Sequence, residues 1–456
     1  MFTPSTNEPR AAARNAAREG DDRWTALKQD LHRRLIQAVD HAALRNLDEA
    51  QLRHQLRLGA EELCRARPDL LNPAERNRLI EELVDETLGF GPLERLLRDP
   101  SVSDILINGP KMVYVERRGV LEPTSITFHD DEHLLTTVQK IVARVGRRID
   151  ESAPMVDTRL PDGSRVNAII APLAIDGTLV SIRRFQADAV TPREMLETES
   201  LTPEMMAFLH GCVLARANIL ISGGTGSGKT TLLNVLSAGI PSRERVVTIE
   251  DAAELKLSQP HVARLETRPP NLEGRGEVSA RDLLRNALRM RPDRILIGEC
   301  RGAEAFDMLQ AMNTGHDGSL TTVHANSTHD AVCRLEMLVG SAGLELAPSQ
   351  ILRQIAAAID VLVHVARLPD GRRKVTQVSE PHGIRDGEVV LQDLFTFEET
   401  GLDREGAITG RFRAHEAEPR MLEAIRARGV PLERSLFNGQ WLPQRRGAAG
   451  GAGVTR

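Results

Sequence analysis

The chain has few aromatic residues and no large excess of charge of either sign. Of its 456 residues, 3% are aromatic, with a single tyrosine, and 59 lysines and arginines nearly balance 64 aspartates and glutamates. Proteins that bind single-stranded nucleic acid stack the bases on aromatic side chains inside a basic groove. The composition therefore argues against a nucleic-acid translocase or helicase, and we expect no nucleic-acid partner.

Cysteine is also scarce. The four cysteines, Cys64, Cys212, Cys300 and Cys333, lie far apart in the sequence, and no two of them form a C-x-x-C pair. This spacing excludes a four-cysteine zinc module and gives no sign of a disulfide framework. We expect reduced thiols, as in a cytosolic protein.

Long apolar runs are missing as well. The longest candidate, residues 205–221, is interrupted by His210 and Arg216, and the N-terminus has no apolar signal core. A membrane-spanning helix needs about 20 consecutive, mainly apolar residues. We therefore expect a cytoplasmic protein whose contact with a membrane, if it has one, is peripheral.

One glycine-rich segment carries most of the functional information. Its residues are Gly223, Gly224, Thr225, Gly226, Ser227, Gly228, Lys229, Thr230 and Thr231. An apolar run precedes it and a helical pattern follows it, which is the context of a P-loop: backbone N–H groups surround phosphates, and the helix directs its positive end at them. Lys229 is expected to reach the β- and γ-phosphates, and Thr230 to bind Mg²⁺. The sequence predicts ATP and Mg²⁺ as cofactors.

Hydrolysis also needs carboxylates that orient water and hold the metal, and two predicted strands end in them. One strand ends at Glu250, which Asp251 follows, and another ends at Glu299. Ligands gather at the carboxyl ends of the strands in an open α/β sheet, so these residues are candidates for catalysis. The alternative is that they cap the following helices. Which glutamate polarises the attacking water stays open.

A histidine and several arginines complete the candidate site. His324 ends the next predicted strand, where it is either a sensor of the γ-phosphate or a structural histidine. Arginines cluster before the nucleotide-binding domain and within it: Arg159, Arg165, Arg183, Arg184, Arg285, Arg289, Arg291 and Arg294. Most surface arginines are solvated. Those arginines of this set that are not solvated could act as arginine fingers on the γ-phosphate, supplied by the same chain or by a neighbouring subunit.

The periodicity of apolar residues divides the chain into segments of different character. We predict a disordered arm (residues 1–22), a helical bundle (23–99) and an α+β domain (100–185). A linker (186–203) leads to a doubly wound α/β nucleotide-binding domain (204–400), and a C-terminal extension with a flexible tail follows (401–456). The bundle is expected to contain helices at residues 24–42, 47–66 and 73–98. The α+β domain is expected to contain short strands at 104–108, 112–116 and 125–128.

Four segments of the nucleotide-binding domain resemble, in order and spacing, the four motifs of the ATPases of type II and type IV secretion and of pili. They are Gly223–Thr231, Thr248–Asp251, Arg289–Gly302 and Thr314–Asn326. Three further features resemble the tight-adherence (Flp) pilus assembly ATPases of the CpaF/TadA type: the leading helices, Asp157–Ile169 and Ser181–Phe185. This resemblance covers about residues 25–400.

The resemblance implies a RecA-like ATPase core preceded by a PAS-like α+β domain, in a homohexameric ring that binds nucleotide between these two domains. It implies that Glu250 is the general base, that Glu299 is the acid of the second motif at the Mg²⁺, and that His324 is the sensor. Arg165 and Arg183 match the arginines that face the phosphates.

The partners implied by this resemblance are inner-membrane platform proteins and, through them, a pilin, with the motor at the inner face of the cytoplasmic membrane. Two alternatives remain open. One is a VirB11-type type IV secretion ATPase, and the other is a regulatory nucleotide-binding protein that does not turn over.

Overall fold

The computed structural model describes residues 24, 26–38, 48–66, 72–117, 119–185, 190–270, 275–404 and 406–443. The chain forms two compact units, residues 1–186 and residues 187–456. The predicted disordered arm, residues 1–22, and the Gly-rich tail from residue 444 onward lie outside the described residues. Within the described part of the chain, no helix combines the length and the apolarity needed to cross a lipid bilayer.

The first unit begins with helices. They comprise residues 26–38 (α1), Glu49–Arg65 (α2) and Pro73–Leu88 (α3). Both α2 and α3 begin at a capping box, in which Asp48 or Asn72 accepts a backbone N–H from the first turn. Apolar residues from all three helices form one small core, which includes Leu31, Leu56 and Leu83.

The third of these helices is shorter than the predicted span of residues 73–98. It ends at Leu88, and a 3₁₀ turn at Gly91–Leu93 and a short helix at Glu94–Arg98 (α4) follow. Gly91 has a φ of +57°, and Pro92 carries no N–H for a helical hydrogen bond. These two residues therefore redirect the chain where the apolar periodicity alone predicts continuation.

The rest of the first unit is a sheet with one long helix. Within the described residues the sheet has six strands in the order β3-β2-β1-β6-β5-β4. They are Val102–Asn108 (β1), Val113–Arg117 (β2), Val120–Pro123 (β3), Met155–Arg159 (β4), Arg165–Ile169 (β5) and Leu179–Arg183 (β6). Helix Asp131–Ala143 (α5) shares a core with the sheet, for example through Leu134 and Val138 beside Ile105 and Val166. Residues 125–128, predicted as a strand, do not form one; the third strand is β3, which lies earlier in the chain. A tight turn at Gly119 starts its pairing with β2, and Pro123 ends it.

The second unit is built on a sheet that, over the described residues, has nine strands in the order β15-β14-β13-β12-β7-β11-β10-β8-β9. They are Ile219–Gly223 (β7), Val246–Glu250 (β8), Val262–Glu266 (β9), Arg294–Cys300 (β10), Leu320–His324 (β11), Val361–Arg367 (β12), Arg373–Arg385 (β13), Glu388–Leu402 (β14) and Ile408–Ala414 (β15). The strands from β12 to β9 are parallel, and β13 to β15 extend the sheet antiparallel.

Helices cover both faces of this sheet, as in a doubly wound fold. They are Pro192–Glu197 (α6), Pro203–Leu214 (α7), Lys229–Ser237 (α8), Ala280–Ala287 (α9), Glu304–Asn313 (α10), Thr328–Gly340 (α11), Pro348–Ala358 (α12) and Leu422–Ala427 (α13). Successive residues of β7 belong to different cores: Ile219 and Ile221 to one, and Leu220 to the other. Every residue of β7 is buried, which explains its continuous apolar run.

The edges of the second unit differ from the predicted segments. In the predicted linker 186–203, α6 begins at a capping box at Thr191, and Met195 packs in the core of the second unit. At the other end, the predicted boundary at residue 400 falls inside β14. Beyond it, Ile425 and Phe437 belong to the same core. These contacts join distant parts of the chain, so local periodicity could not reveal them.

Candidate active site

The glycine-rich segment forms the loop between β7 and α8, with the geometry that a P-loop requires. Gly228, directly before α8, has a φ of +101°, which favours glycine. A Cβ on Gly223 would lie 2.3 Å from the carbonyl oxygen of Val365, so only glycine fits there. Thr230 and Thr231 lie half-buried in the first turn of α8, and Gly224 and Thr225 are exposed.

The Lys229 ammonium group lies inside this loop. Its Nζ donates to the carbonyl oxygens of Gly223, at 3.0 Å, and Gly224, at 2.9 Å, and lies 3.4 Å from Nδ1 of His324. The Ser227 hydroxyl is buried beside them without a hydrogen-bond partner in the described part of the chain. An ammonium group and a buried polar group at the start of a helix fit a bound phosphate.

On one side of β7, the strands β11, β10 and β8 follow in that order, and they end at the other predicted site residues. At the usual strand spacing of about 4.8 Å, β11, β10 and β8 lie about 5, 10 and 14 Å from β7. The order along this edge of the sheet is therefore Lys229, His324, Glu299 and Glu250. The structure thus brings the predicted residues of the second unit to one edge.

Glu250, at the end of β8, is 4% exposed. Its Oε2 accepts the backbone N–H groups of Glu254 and Leu255, each at 2.7 Å. Its Oε1 has no hydrogen-bond partner among the described residues. Burial raises the pKa of this carboxyl group, and the two backbone N–H groups oppose the rise. The Arg264 guanidinium and the Thr248 side chain also lower this pKa. One oxygen therefore holds the turn after β8, and the other is buried.

Glu299, at the end of β10, is held by charged neighbours. Its Oε2 lies 2.7 Å from the Arg301 guanidinium, and its Oε1 lies 2.8 Å from Nε2 of His324. Arg301 also reaches Asp251, at 3.3 Å. The backbone N–H groups of Arg301 and Gly302 donate to Glu304 rather than to Glu299. The capping role that sequence left open for Glu299 is therefore taken by Glu304.

His324 connects the P-loop lysine to Glu299. Lys229 can only donate, so Nδ1 of His324 must accept, and the proton of the neutral ring lies on Nε2, facing Glu299. Burial lowers the pKa of His324; Glu299 opposes this shift and Lys229 adds to it. The ring is therefore neutral at physiological pH, with Nδ1 facing the P-loop lysine and Nε2 close to Glu299 Oε1, which has no hydrogen-bond partner in the described part of the chain.

Mg²⁺ prefers oxygen ligands and is usually bound through one or two carboxylates together with the substrate phosphates. The Thr230 hydroxyl and the Glu299 carboxylate belong to this donor set and fit the predicted metal. No cluster of three or more histidine, cysteine, aspartate or glutamate side chains that could hold a metal ion occurs in the described ranges.

The predicted arginines Arg165 and Arg183 lie in the first unit, where the structure pairs them. They are direct cross-strand partners on β5 and β6, and Arg159 on β4 is the next partner in the same row. Like charges directly opposite each other destabilise a sheet, and Asp157, 3.7 Å from the Arg165 guanidinium, offsets part of that cost. Their role in contacting the nucleotide stays a prediction.

Two arginines at this edge of the second unit have no assigned role in the sequence-based site. Arg301 contacts both Glu299 and Asp251. Its position two residues after Glu299, inside a motif segment, was a usable signal. Arg373 donates from Nε to the P-loop carbonyl of Gly226 at 2.9 Å, across 147 residues of sequence. No local pattern marks that contact.

The comparisons with known proteins agree with this geometry. Residues 86–427 match the family model described as "Type II/IV secretion system protein". The chain belongs to this family. The predicted secretion ATPase superfamily is thereby confirmed. The sheet of the second unit, covered by helices, confirms the predicted α/β fold class.

Relatives of this chain include a conjugal transfer protein and a component of a type IV secretion system. A putative conjugal transfer protein of Mycobacterium tuberculosis is 39% identical over 303 residues, which is 65% of this chain and 86% of that protein. VirB11 of the type IV secretion system of Brucella suis is 32% identical over 326 residues, covering 66% and 90% of the two chains. The crystal structure of the Brucella suis VirB11 ATPase with sulphate is 31% identical in sequence. The match covers 63% of this chain and 95% of that chain, with a TM-score of 0.36.

Proposed function

We propose that the chain is a motor ATPase that binds Mg²⁺–ATP at its P-loop and hydrolyses it with Glu250 as the general base. The observation that carries this proposal is the buried Glu250 carboxylate. Two backbone N–H groups fix one of its oxygens, and the other has no hydrogen-bond partner within the described ranges. A fixed carboxylate with a raised pKa is suited to accept a proton from water near neutral pH.

Each residue at the sheet edge has a distinct part in this reaction. Lys229 exchanges its carbonyl partners for phosphate oxygens, and Glu250 accepts the proton of the water that attacks the γ-phosphorus. The Thr230 hydroxyl and the Glu299 carboxylate would hold Mg²⁺, which neutralises charge on the β- and γ-phosphates when bound. The neutral His324 ring lies between Lys229 and Glu299, where a change at the γ-phosphate would reach both residues.

The test of turnover is phosphate release by the purified full chain and its Lys229→Ala variant. We expect near-complete loss of release in the variant, because the lysine is the cation placed inside the loop. Lys111→Ala is the matched control, since Lys111 is an exposed lysine of the first unit. Equal phosphate release by the wild type and Lys229→Ala would contradict the proposal and favour a regulatory nucleotide-binding protein.

We further propose that this motor is a homohexamer that serves tight-adherence (Flp) pilus assembly. It would act at the inner face of the cytoplasmic membrane on inner-membrane platform proteins and, through them, on a pilin. The motif segments and the helices α1 and α2 support this branch, because those helices precede residue 86, where the family match begins.

A VirB11-type role in type IV secretion is the second candidate. The observation that favours it is the 32% identity to VirB11 of Brucella suis over 90% of that protein. The conjugal transfer relative is consistent with the same role. Both candidates use the same ATPase site, so the partner distinguishes them.

The partner can be identified by cross-linked capture of the hydrolysis-blocked Glu250→Gln variant from cells of the source organism. Mass spectrometry is expected to find integral membrane platform proteins and a pilin, and the Lys229→Ala variant is the matched control without bound nucleotide. Recovery of a conjugation-type channel would replace the pilus assignment with the VirB11-type role. Recovery of only nucleic acid or soluble enzymes would contradict both.

A further inference from the structure

The hairpin of β12 and β13 lies beside the P-loop, although it is far from it in sequence. At its end, Arg367 and Arg373 are direct cross-strand partners. Nε of Arg373 donates to the carbonyl oxygen of Gly226 at 2.9 Å. A Cβ on Gly228 would lie 3.2 Å from Cδ of Arg373. The side chain of Arg373 therefore runs along the P-loop and binds its backbone.

The hairpin turn that precedes Arg373 is itself anchored. Asp370 accepts hydrogen bonds from the Arg372 guanidinium and from the backbone N–H of Ile408, each at 2.8 Å. Arg372 also donates to the carbonyl oxygen of Ile408. These bonds attach the turn to β15 at the edge of the sheet. The position of Arg373 is therefore set by strands rather than by a free loop.

The bond to Gly226 determines where the next N–H points. In a trans peptide the C=O and the following N–H point in opposite directions. Because Arg373 holds the C=O of Gly226, the N–H of Ser227 is directed away from Arg373. It points to the carbonyl oxygen of Gly224, with an N···O distance of 3.4 Å. This distance is long for a hydrogen bond, so a phosphate oxygen could readily replace that partner.

The charges at the hairpin also favour an anion. Two arginines directly opposite each other on an antiparallel pair repel one another. A guanidinium nitrogen of Arg367 lies 3.7 Å from where a Cβ on Gly226 would be. Both arginines are thus next to the loop, and their mutual repulsion is reduced when a phosphate chain occupies it.

We propose that Arg373 is a positioning residue of the P-loop, which orients the Gly226–Ser227 peptide so that the Ser227 N–H can bind a nucleotide phosphate. This inference rests on the proposed function, in which the loop binds ATP. It assigns to the antiparallel extension of the sheet a part in nucleotide binding.

The test compares Arg373→Gln with the wild type in the full chain. We expect the Kd for ATP, measured by calorimetry, to rise about 10-fold, as is typical for the loss of a hydrogen bond to a charged group. KM for ATP rises in parallel and kcat changes little, since Arg373 does not touch the reacting atoms. Arg373→Lys is expected to restore part of the affinity, because a lysine can still donate to the Gly226 carbonyl.

Arg385→Gln is the matched control, because Arg385 is an exposed arginine at the other end of β13. We expect it to bind ATP like the wild type. We also expect the Tm of Arg373→Gln to fall slightly without nucleotide, because the bond to Gly226 is present in the free chain, and to fall further below that of the wild type with ATP present.

Two results would overturn the inference and leave the proposed function intact. One is wild-type ATP affinity in Arg373→Gln. The other is a loss of Tm without nucleotide together with unchanged affinity, which would show that Arg373 only packs the hairpin. A wild-type chain that binds no ATP would instead contradict the proposed function, and the inference with it.

Discussion

Glu250 and Glu299 end two neighbouring strands, β8 and β10, of one sheet, yet their surroundings differ. Glu250 is buried, and one of its oxygens accepts hydrogen bonds from two backbone N–H groups. Glu299 lies between two cationic or ionisable side chains, Arg301 and His324. Backbone hydrogen bonds position the first carboxylate, and the Arg301 and His324 side chains surround the second.

This difference indicates a division of roles between the two glutamates. A buried carboxylate with a raised pKa is suited to take up a proton. A carboxylate in a charged network near the P-loop is suited to a metal ion, because its neighbours can readjust as the charge on the phosphates changes. The same residue type can therefore perform two tasks, and the environment decides which.

The largest expected effect is that of Glu250→Gln on kcat for ATP hydrolysis. We expect a loss of about 10²- to 10⁴-fold, the usual contribution of a general base. Affinity for ATP should stay near that of the wild type, because a general base contacts the attacking water rather than the phosphates. Steady-state phosphate release and equilibrium ATP binding measure the two quantities. A Glu250→Gln variant with wild-type kcat would show that Glu250 is not the base.

The second effect is that of Glu299→Gln on the Mg²⁺ requirement. We expect the Mg²⁺ concentration for half-maximal activity to rise by about 10- to 100-fold, the usual cost of losing a group that holds or orients a metal. Titration of Mg²⁺ at constant free ATP measures the shift. An unchanged requirement would exclude Glu299 from the metal site and remove the contrast between the two glutamates.

The third effect is a change in the pH profile of kcat. Glu250 must be ionised to act as a base, and burial raises its pKa, so activity should begin to fall at a higher pH than for an ordinary glutamate. Below that pKa the rate should drop about 10-fold per pH unit. Glu299→Gln should retain this acidic limb, and Glu250→Gln should lack it. An acidic limb that persists in Glu250→Gln belongs to another group.

The smallest effect is expected for Arg301→Gln, which separates Glu299 and Asp251 from their shared cation. Exposed ion pairs contribute about 0–1 kcal/mol, so chemical denaturation should show a change in unfolding free energy of less than about 1 kcal/mol. Asp251→Asn is the matched control, because it removes one contact of Arg301 and leaves Glu299 paired. A large loss of stability in Arg301→Gln would mean that this network supports the fold.

Much of this site could be predicted because its residues follow local rules. The P-loop glycines and the carboxylates at the ends of apolar strands are visible in short segments, and Glu250 and Glu299 became candidates in this way. Different roles for the two glutamates followed only from the family resemblance. Their surroundings could not be predicted, because these depend on a turn that brings the Leu255 N–H back to Glu250, and on the tertiary approach of His324 to Glu299.

The same limit applies to the fold. Strands β7 and β8 were predicted from their buried, continuous apolar runs. Strand β12 was predicted as part of an antiparallel extension, but it pairs parallel to β7. The edge strands β9 and β15 were not predicted, because they are only partly buried and carry a weaker pattern. Arg373 was not predicted either, since only the folding of the hairpin onto the P-loop reveals its contact.

The most direct test of the division of roles is single-turnover ATP hydrolysis by Glu250→Gln and Glu299→Gln, side by side, over a range of Mg²⁺ concentrations. We expect excess Mg²⁺ to restore much of the rate in Glu299→Gln, because metal binding is what that variant lacks. Glu250→Gln should hold ATP without cleaving it at every Mg²⁺ concentration. Rescue of Glu250→Gln by Mg²⁺, with no rescue of Glu299→Gln, would reverse the two assignments and contradict the account.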